Sequence, residues 1–288
     1  MDNPVRPKIL AEAVPLEISP EEFGLIRETL RGLRQFNLDA YKDKCVKRRI
    51  AIRVRANACA SVREYCNLLL SRESEVDKLL KVLTIHVSQF FRNRSAFDKL
   101  RQEIIPYLFS MVRQDGRSDL KCWSVGCASG EEPYSLALLF AEHFAADTAR
   151  IPTQILGTDV DEATLATART GVYIDERLAE LPDYYRERYF RQEHGKFHLA
   201  DAIKAMVTFL QGDLSHDEAY QESDLILCRN VLIYFEREQQ ERVIRNFARV
   251  LRPGGILVLG KSESLFGESR RYFQTVCPIE RIYRVVTT

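Results

Sequence analysis

The sequence predicts an α/β protein, a Rossmann-like doubly wound parallel sheet preceded by an all-α segment, and three observations carry that prediction. Short apolar runs alternate with runs of helical period from Leu120 to Val286. One of these runs, inside "CWSVGCASGEEPYSLALLF" (122–140), ends in small residues and opens directly into a helix. Between Ser19 and Ser110, by contrast, apolar residues recur only at helical spacing.

The elements follow in order. Residues 1–18 hold three prolines and no periodicity, which predicts an extended arm. Ser19-Pro20-Glu21-Glu22 is a capping box, with the hydroxyl at the N-cap, proline at N1 and the carboxylate at N3, and Ser61 to Glu64 repeats it. A helical domain is expected over 19–114, broken at Gln114-Asp115-Gly116-Arg117. The domain expected over 115–288 reads strand (120–126), helix (133–144), strand (153–160), helix (161–169), strands at 206–213 and 223–230, helix (237–251), strand (254–260) and a last strand (281–286). Residues 172–206, rich in Tyr, Arg and Glu, interrupt this alternation as an insertion.

Composition narrows the function classes. The 288-residue chain is 45% hydrophobic and 29% charged with a net charge of +1, which predicts no general affinity for nucleic acid or anionic membrane. The start, "MDNPVRPKIL", has no apolar secretion segment, and no uncharged run reaches the ~18 residues a bilayer span needs. These features predict a cytoplasmic protein without membrane insertion. Seven cysteines show neither CxxC spacing nor a histidine at ligand distance, so they read as buried thiols in a reducing compartment and no metal site is expected.

The turn after the first strand raises the functional question. A pyrophosphate needs the bare positive end of a helix, and here Glu131 and Glu132 stand there. Asp159 closes the second strand, where a carboxylate can accept from both ribose hydroxyls. Asp213 closes the third, and Arg229, Asn230 and then Tyr234 follow the fourth. Two readings fit. The acids and amide receive a positively charged nucleoside such as S-adenosylmethionine, or the glutamates merely favour a helix N-terminus and the others cap loops.

The set "SQFFRN" (88–93), "WSVGCASGEEPYSLA" (123–137), "LGTDVDEATLATARTGVY" (156–173), "DLILCRNVLIYF" (224–235) and "LRPGGILVLGKSES" (251–264) resembles the chemotaxis receptor methyltransferase family, CheR, over about residues 20–285. The resemblance implies an S-adenosylmethionine-dependent methyltransferase domain carrying a small antiparallel β insertion behind an all-α domain. It implies methyl transfer to glutamate side chains on the cytoplasmic helices of chemoreceptors, with S-adenosylhomocysteine as product. By motif position, cofactor contacts fall on Ser88, Arg92, Glu132, Asp159, Asp213, Leu214, Asn230 and Val231. The family's Asn-x-Thr before "FFR" is His86-Val87-Ser88 here, so the hydroxyl persists and His86 stands where an amide is usual. Its Asn-Leu after the third strand is Asp213-Leu214, which keeps an acceptor for adenine's amine. Arg92 and Tyr234 are the candidates for holding the cofactor and substrate carboxylates.

Two further expectations concern partners. Lys44, Lys47, Arg48, Arg53 and Arg55 crowd one predicted helix, with Ile50, Ile52 and Val54 packing inward. They either form a solvated face or dock an acidic chemoreceptor helix. The insertion holds "YFRQEHGKFHLADAI", whose His194-Gly195 suits a tight hairpin. Members of the family that capture a receptor tail carry a longer, glycine-containing loop here, so the resemblance implies an enzyme that recognises the methylation helix directly rather than through a receptor tail; it is also expected to be monomeric. A methyltransferase acting on another substrate, and an adaptor that binds S-adenosylmethionine with little turnover, are the alternatives.

Overall fold

The computed structural model describes residues 17–34, 36, 38–83 and 88–286. His86, most of the expected extended arm and the side chain of Lys44 lie outside the described residues. The chain divides into two compact units, one formed by residues up to 39 with 43–79, the other by 40–42 with 80–288.

The first unit is helical, with helices at Pro20–Arg34, Asp43–Ala56 and Val62–Ser71, and the division falls inside a fourth, Glu73–Leu83. The first capping box forms as its residues predict: Glu22 N donates to Ser19 Oγ at 3.2 Å, and Ser19 N donates to Glu22 Oε2 at 3.0 Å. Phe23, Ile26, Leu30, Ile50, Val54, Tyr65 and Leu69 are buried. Ile52 is 51% exposed, contrary to the expectation that it packs inward. Residues 50 and 54 share a helical face, whereas 52 lies near the opposite one.

Among its described residues, the second unit contains ten strands: β1 (Leu120–Val125), β2 (Thr153–Asp159), β3 (Val172–Tyr173), β4 (Phe190–Glu193), β5 (Lys196–Leu199), β6 (Val207–Gln211), β7 (Ser223–Cys228), β8 (Leu251–Leu259), β9 (Phe273–Cys277) and β10 (Ile282–Val285). Seven of them form one sheet in the order β6-β2-β1-β7-β8-β10-β9. The first five run parallel, but β10 is antiparallel to both β8 and β9. The wholly parallel sheet expected from the alternation therefore gives way at one edge. Only residues 278–281 join β9 to β10, and a parallel pair needs a crossover of about a dozen residues.

The expected domain boundary at 114/115 also moves. Phe97, Leu100, Ile104, Leu108, Phe109 and Val112, from the helices between Arg94 and Gln114, share one core with Leu120, Leu136 and Phe140. Helical periodicity shows that a stretch is helical; it does not show which core the helix faces. The insertion is a three-stranded antiparallel sheet, β3-β5-β4, whose hairpin turns at His194 (φ +48°) and Gly195 (φ +74°) as the sequence predicts.

Register lines up the carboxyl ends of the strands. Val125 lies beside Thr158 and Cys228, Asp159 beside Gln211, and Cys228 beside Leu259. The chain builds outward from β1 through β2 to β6, then returns to place β7 on the other side of β1. That reversal opens a crevice at the ends of β1 and β7, the place where such sheets bind ligands.

Candidate functional site

One cavity occupies that crevice. Ser88, Arg92, Glu132, Asp159, Asp213, Leu214, Asn230, Val231 and Tyr234 all line it, joined by Tyr41, Phe97, Gly126, Arg229, Ile233 and Phe235.

The turn after β1 is shaped by close approach. Gly126 adopts φ +62°, and a Cβ there would meet Val231 Cγ2 at 2.5 Å, so a glycine lets the two strand-end loops touch. Ala128, also left-handed at φ +49°, donates its N–H to Asp159 Oδ2 at 2.9 Å. Asp161 N donates to the other oxygen, Oδ1, at 3.1 Å. Asp159 is thus 5% exposed and held by both neighbouring loops. Asp213 is fixed in the same manner by Ser215 N at 2.8 Å.

The two glutamates separate in space. Glu132 faces the cavity, accepting from Ser124 Oγ at 2.8 Å and Arg229 Nη1 at 3.0 Å. Glu131 has no exposure and pairs with Arg177 at 3.5 Å, away from the cavity lining. The turn is therefore guarded by one carboxylate rather than two, because consecutive residues on a helix point about 100° apart. Arg229 donates its second arm to the Arg92 carbonyl at 2.7 Å and lies over the Phe97 ring at 5.4 Å.

The loop after β7 carries the amide. Asn230 sits at φ +61°, with its N–H donated to Glu263 Oε2 at 2.9 Å. Glu263 also accepts from Gly260 N at 2.6 Å and Ile233 N at 3.3 Å. Burial pushes the Glu263 carboxyl above its usual range, against the lowering effect of these backbone donors. Asn230 Oδ1 is buried and has no hydrogen-bond partner within the protein. An orphaned acceptor on a cavity wall suits a ligand that brings a donor. Further along, Lys42 N donates to Tyr234 O at 2.9 Å, Lys42 Nζ donates to Ile233 O at 2.9 Å, and Tyr41 packs on Phe235 with ring centroids 5.2 Å apart.

Tyr41, Arg177 and Glu263 were not legible as site residues. Tyr41 falls within a stretch that reads as the helical domain, and Arg177 within the insertion. Glu263 closes "GKSES", where Gly260 was its one local signal: a Cβ there would lie 2.7 Å from Glu263 Oε2 and 2.8 Å from Asn230 N. The cysteines beside the site take no part as thiolates, since burial drives Cys127 and Cys228 well above the ordinary thiol range.

Known proteins match both halves of the chain. Residues 86–280 match the CheR methyltransferase, SAM binding domain, and residues 21–84 match the CheR methyltransferase, all-alpha domain. The chain belongs to the CheR methyltransferase family. It is 34% identical over 234 residues to the chemotaxis protein methyltransferase of Listeria monocytogenes, covering 80% of this chain and 84% of that one. It is 29% identical over 258 residues to the chemotaxis protein methyltransferase of Borreliella burgdorferi, covering 88% and 91%. An uncharacterized 104.1 kDa protein of Rhodobacter capsulatus is 35% identical over 246 residues, 85% of this chain, which spans only 26% of that protein. The two family domains meet between 84 and 86, close to the division at 79/80.

CheR chemistry is methyl transfer from S-adenosylmethionine, and this enzyme is an S-adenosylmethionine-dependent methyltransferase of the chemotaxis class. The cavity fits that cofactor: an unfilled buried acceptor on Asn230, carboxylates at Glu132, Asp159 and Asp213, and the apolar walls of Phe97, Leu214 and Val231. Among the described residues, no helix is long and apolar enough to cross a membrane.

Proposed function

We propose that this CheR enzyme esterifies glutamate side chains on the cytoplasmic helices of chemoreceptors, inside the cytoplasm, and thereby adapts chemotaxis signalling. The observation that carries the reading is that Arg92 and Tyr234 share a cavity wall with the orphaned Asn230 acceptor and the acidic strand ends. A cation and a phenol beside a cofactor pocket suit a carboxylate substrate. The relatives named chemotaxis protein methyltransferases support the same substrate class.

Bound S-adenosylmethionine supplies an electrophilic methyl on a sulfonium. Asp159 would hold the ribose hydroxyls, Asp213 the adenine amine, and Glu132 with Asn230 the amino group. Ser88 and Arg92 would take the carboxylate end. A substrate glutamate, with a pKa of about 4.3, is already a carboxylate at neutral pH, so no residue need act as base. The protein's contribution is orientation by Arg92 and Tyr234 beside the bound cofactor.

In the helical unit, Arg48 and Arg55 are exposed and Lys47 lies over the Phe23 ring at 4.9 Å, so these three would meet an acidic receptor helix. Arg53 leaves that set. It grips Glu75, itself 1% exposed, through Nε at 2.9 Å and Nη2 at 2.5 Å, and Tyr65 donates to the same carboxylate at 2.7 Å. The tight His194-Gly195 hairpin favours recognition of the methylation helix without a receptor-tail tether.

The test uses the full chain, methyl-labelled S-adenosylmethionine and a chemoreceptor cytoplasmic fragment. Base-labile label on receptor glutamates is expected, with little in Arg92→Lys because a point charge does not reproduce the guanidinium fork. Tight S-adenosylhomocysteine binding with no transfer to any receptor fragment would sink the substrate assignment and leave the adaptor reading.

A further inference from the structure

The adjacent glutamates that open the helix Glu131–His143 reach the same loop by two separate routes. Glu131 pairs with Arg177 at 3.5 Å, and Arg177 Nη1 donates to the Ser88 carbonyl at 2.6 Å. Glu132 pairs with Arg229 at 3.0 Å, and Arg229 Nη2 donates to the Arg92 carbonyl at 2.7 Å. Ser88 and Arg92 both line the cofactor cavity, and the backbone between them is strained, with left-handed Phe91 (φ +53°) followed by left-handed Asn93 (φ +58°). Non-glycine residues in that region persist only where their surroundings over-determine them.

The surroundings here do so from two sides, the helix and the insertion. Phe91 N donates to Ser135 Oγ at 2.9 Å, on the same helix as the glutamates. Phe90 N donates to Arg177 O at 3.0 Å and Asn93 N to Glu180 Oε2 at 2.9 Å, both on the insertion. Phe90 meets Tyr173 and Phe190 edge-on at 4.8 and 5.3 Å, while Phe91 stacks on Tyr185 at 5.0 Å. A carboxylate as deeply buried as Glu131 is costly, and breaking its ion pair would leave that charge uncompensated.

We infer that Glu131–Arg177 and Glu132–Arg229 are the two arms of a clamp that sets the Ser88–Asn93 loop for cofactor and substrate. Arg177 is a positioning residue supplied by the insertion. The β3-β5-β4 insertion is thus part of the active-site scaffold rather than a cover. The inference rests on the reading that Ser88 and Arg92 serve cofactor and substrate.

The experiment compares Arg177→Lys, the paired change Arg177→Met with Glu131→Gln, and Glu180→Ala in the full-length enzyme. Arg177→Lys retains a charge for Glu131 but loses the guanidinium whose Nη1 serves both Glu131 and the Ser88 carbonyl, the paired change leaves no buried charge behind, and Glu180 is exposed, so its removal spares the core. Arg188→Ala is the control, because Arg188 joins the insertion to Glu142, at the far end of the helix Glu131–His143, at 2.9 Å rather than to the loop. S-adenosylhomocysteine affinity by calorimetry, kcat and KM for methyl transfer, and Tm are measured on each. We expect kcat/KM to fall about tenfold or more in the Arg177 variants and less in Glu180→Ala, since a displacement of about 1 Å costs on the order of 100-fold. Arg188→Ala is expected to keep wild-type kinetics. Folded Arg177 variants with wild-type affinity and kcat would overturn the clamp, as would activity lost only in proportion to folded protein. Wild-type enzyme that fails to bind S-adenosylhomocysteine would instead sink the reading beneath it.

Discussion

Glu132 and Arg229 form a 3.0 Å ion pair across the crevice between β1 and β7, with the Arg229 side chain only 3% exposed. The carboxylate is anchored on the β1 side by Ser124 and the guanidinium follows β7 directly, so the pair staples the sheet where its strand order reverses. A residue that looks in sequence like a phosphate repellent therefore also organises the cavity wall. Its neighbours allow three predictions, and the basic helix a fourth.

Asp159 is expected to bind ribose while also receiving Ala128 N and Asp161 N. Asp159→Ala should weaken S-adenosylhomocysteine by about 1–3 kcal/mol, the cost of losing hydrogen bonds to a charged group. Calorimetry reads this directly. Unchanged affinity removes Asp159 from the ribose site.

Gly126→Ala places a methyl group 2.5 Å from Val231 Cγ2 at a left-handed φ. Val231 must shift, and the loop bearing Asn230 shifts with it. Cofactor affinity should fall while the far edge of the sheet stays ordered, a contrast that amide exchange can resolve. Gly126→Ala paired with Val231→Ala should recover part of the loss, and no recovery would trace the defect to backbone strain alone.

The basic helix splits into two kinds of cation. Arg48→Glu should raise the Michaelis constant for receptor and flatten its dependence on salt, because the charge steers a partner. Arg53→Glu should instead destabilise the helical unit by about 3–5 kcal/mol, since it leaves the buried Glu75 carboxylate unpaired. A salt-independent KM in wild-type enzyme would reduce Lys47, Arg48 and Arg55 to a solvated face.

Glu263 couples pH to the site. Its folded pKa lies above the ordinary carboxylate range because burial disfavours the charge. The group's contribution to stability is therefore fully present below about pH 4.5 and declines as pH rises through the folded pKa. Affinity runs the other way: protonation puts an O–H among the donors Asn230 N, Gly260 N and Ile233 N, which loosens the loop. Acidification from neutral pH should weaken S-adenosylhomocysteine before the enzyme unfolds. Glu263→Gln should bind weakly at every pH and lose this part of the stability profile, and a variant with wild-type affinity would dismiss the role.

Much of this protein is written locally. The capping box at Ser19, the N-cap at Ser61 (whose Glu64 accepts from Ala60 N rather than closing the expected box), the five parallel strands, the His194-Gly195 hairpin and the polar groups at strand ends depend on residues within a few positions of one another. Backbone period and turn chemistry specify them. Strand β9 escaped because Gln274, Thr275 and Val276 are exposed at a sheet edge and leave no apolar pattern. What the tertiary structure alone decided were the pairings: Glu131 with Arg177, Glu132 with Arg229, Asn230 with Glu263, Arg53 with Glu75, and Tyr41 with Phe235. Each joins residues far apart in the chain, and a charge's partner is set by which elements the core brings together. The same physics moved the boundary to 79/80, for the helices before residue 114 are helical by local rule and belong to the sheet by packing.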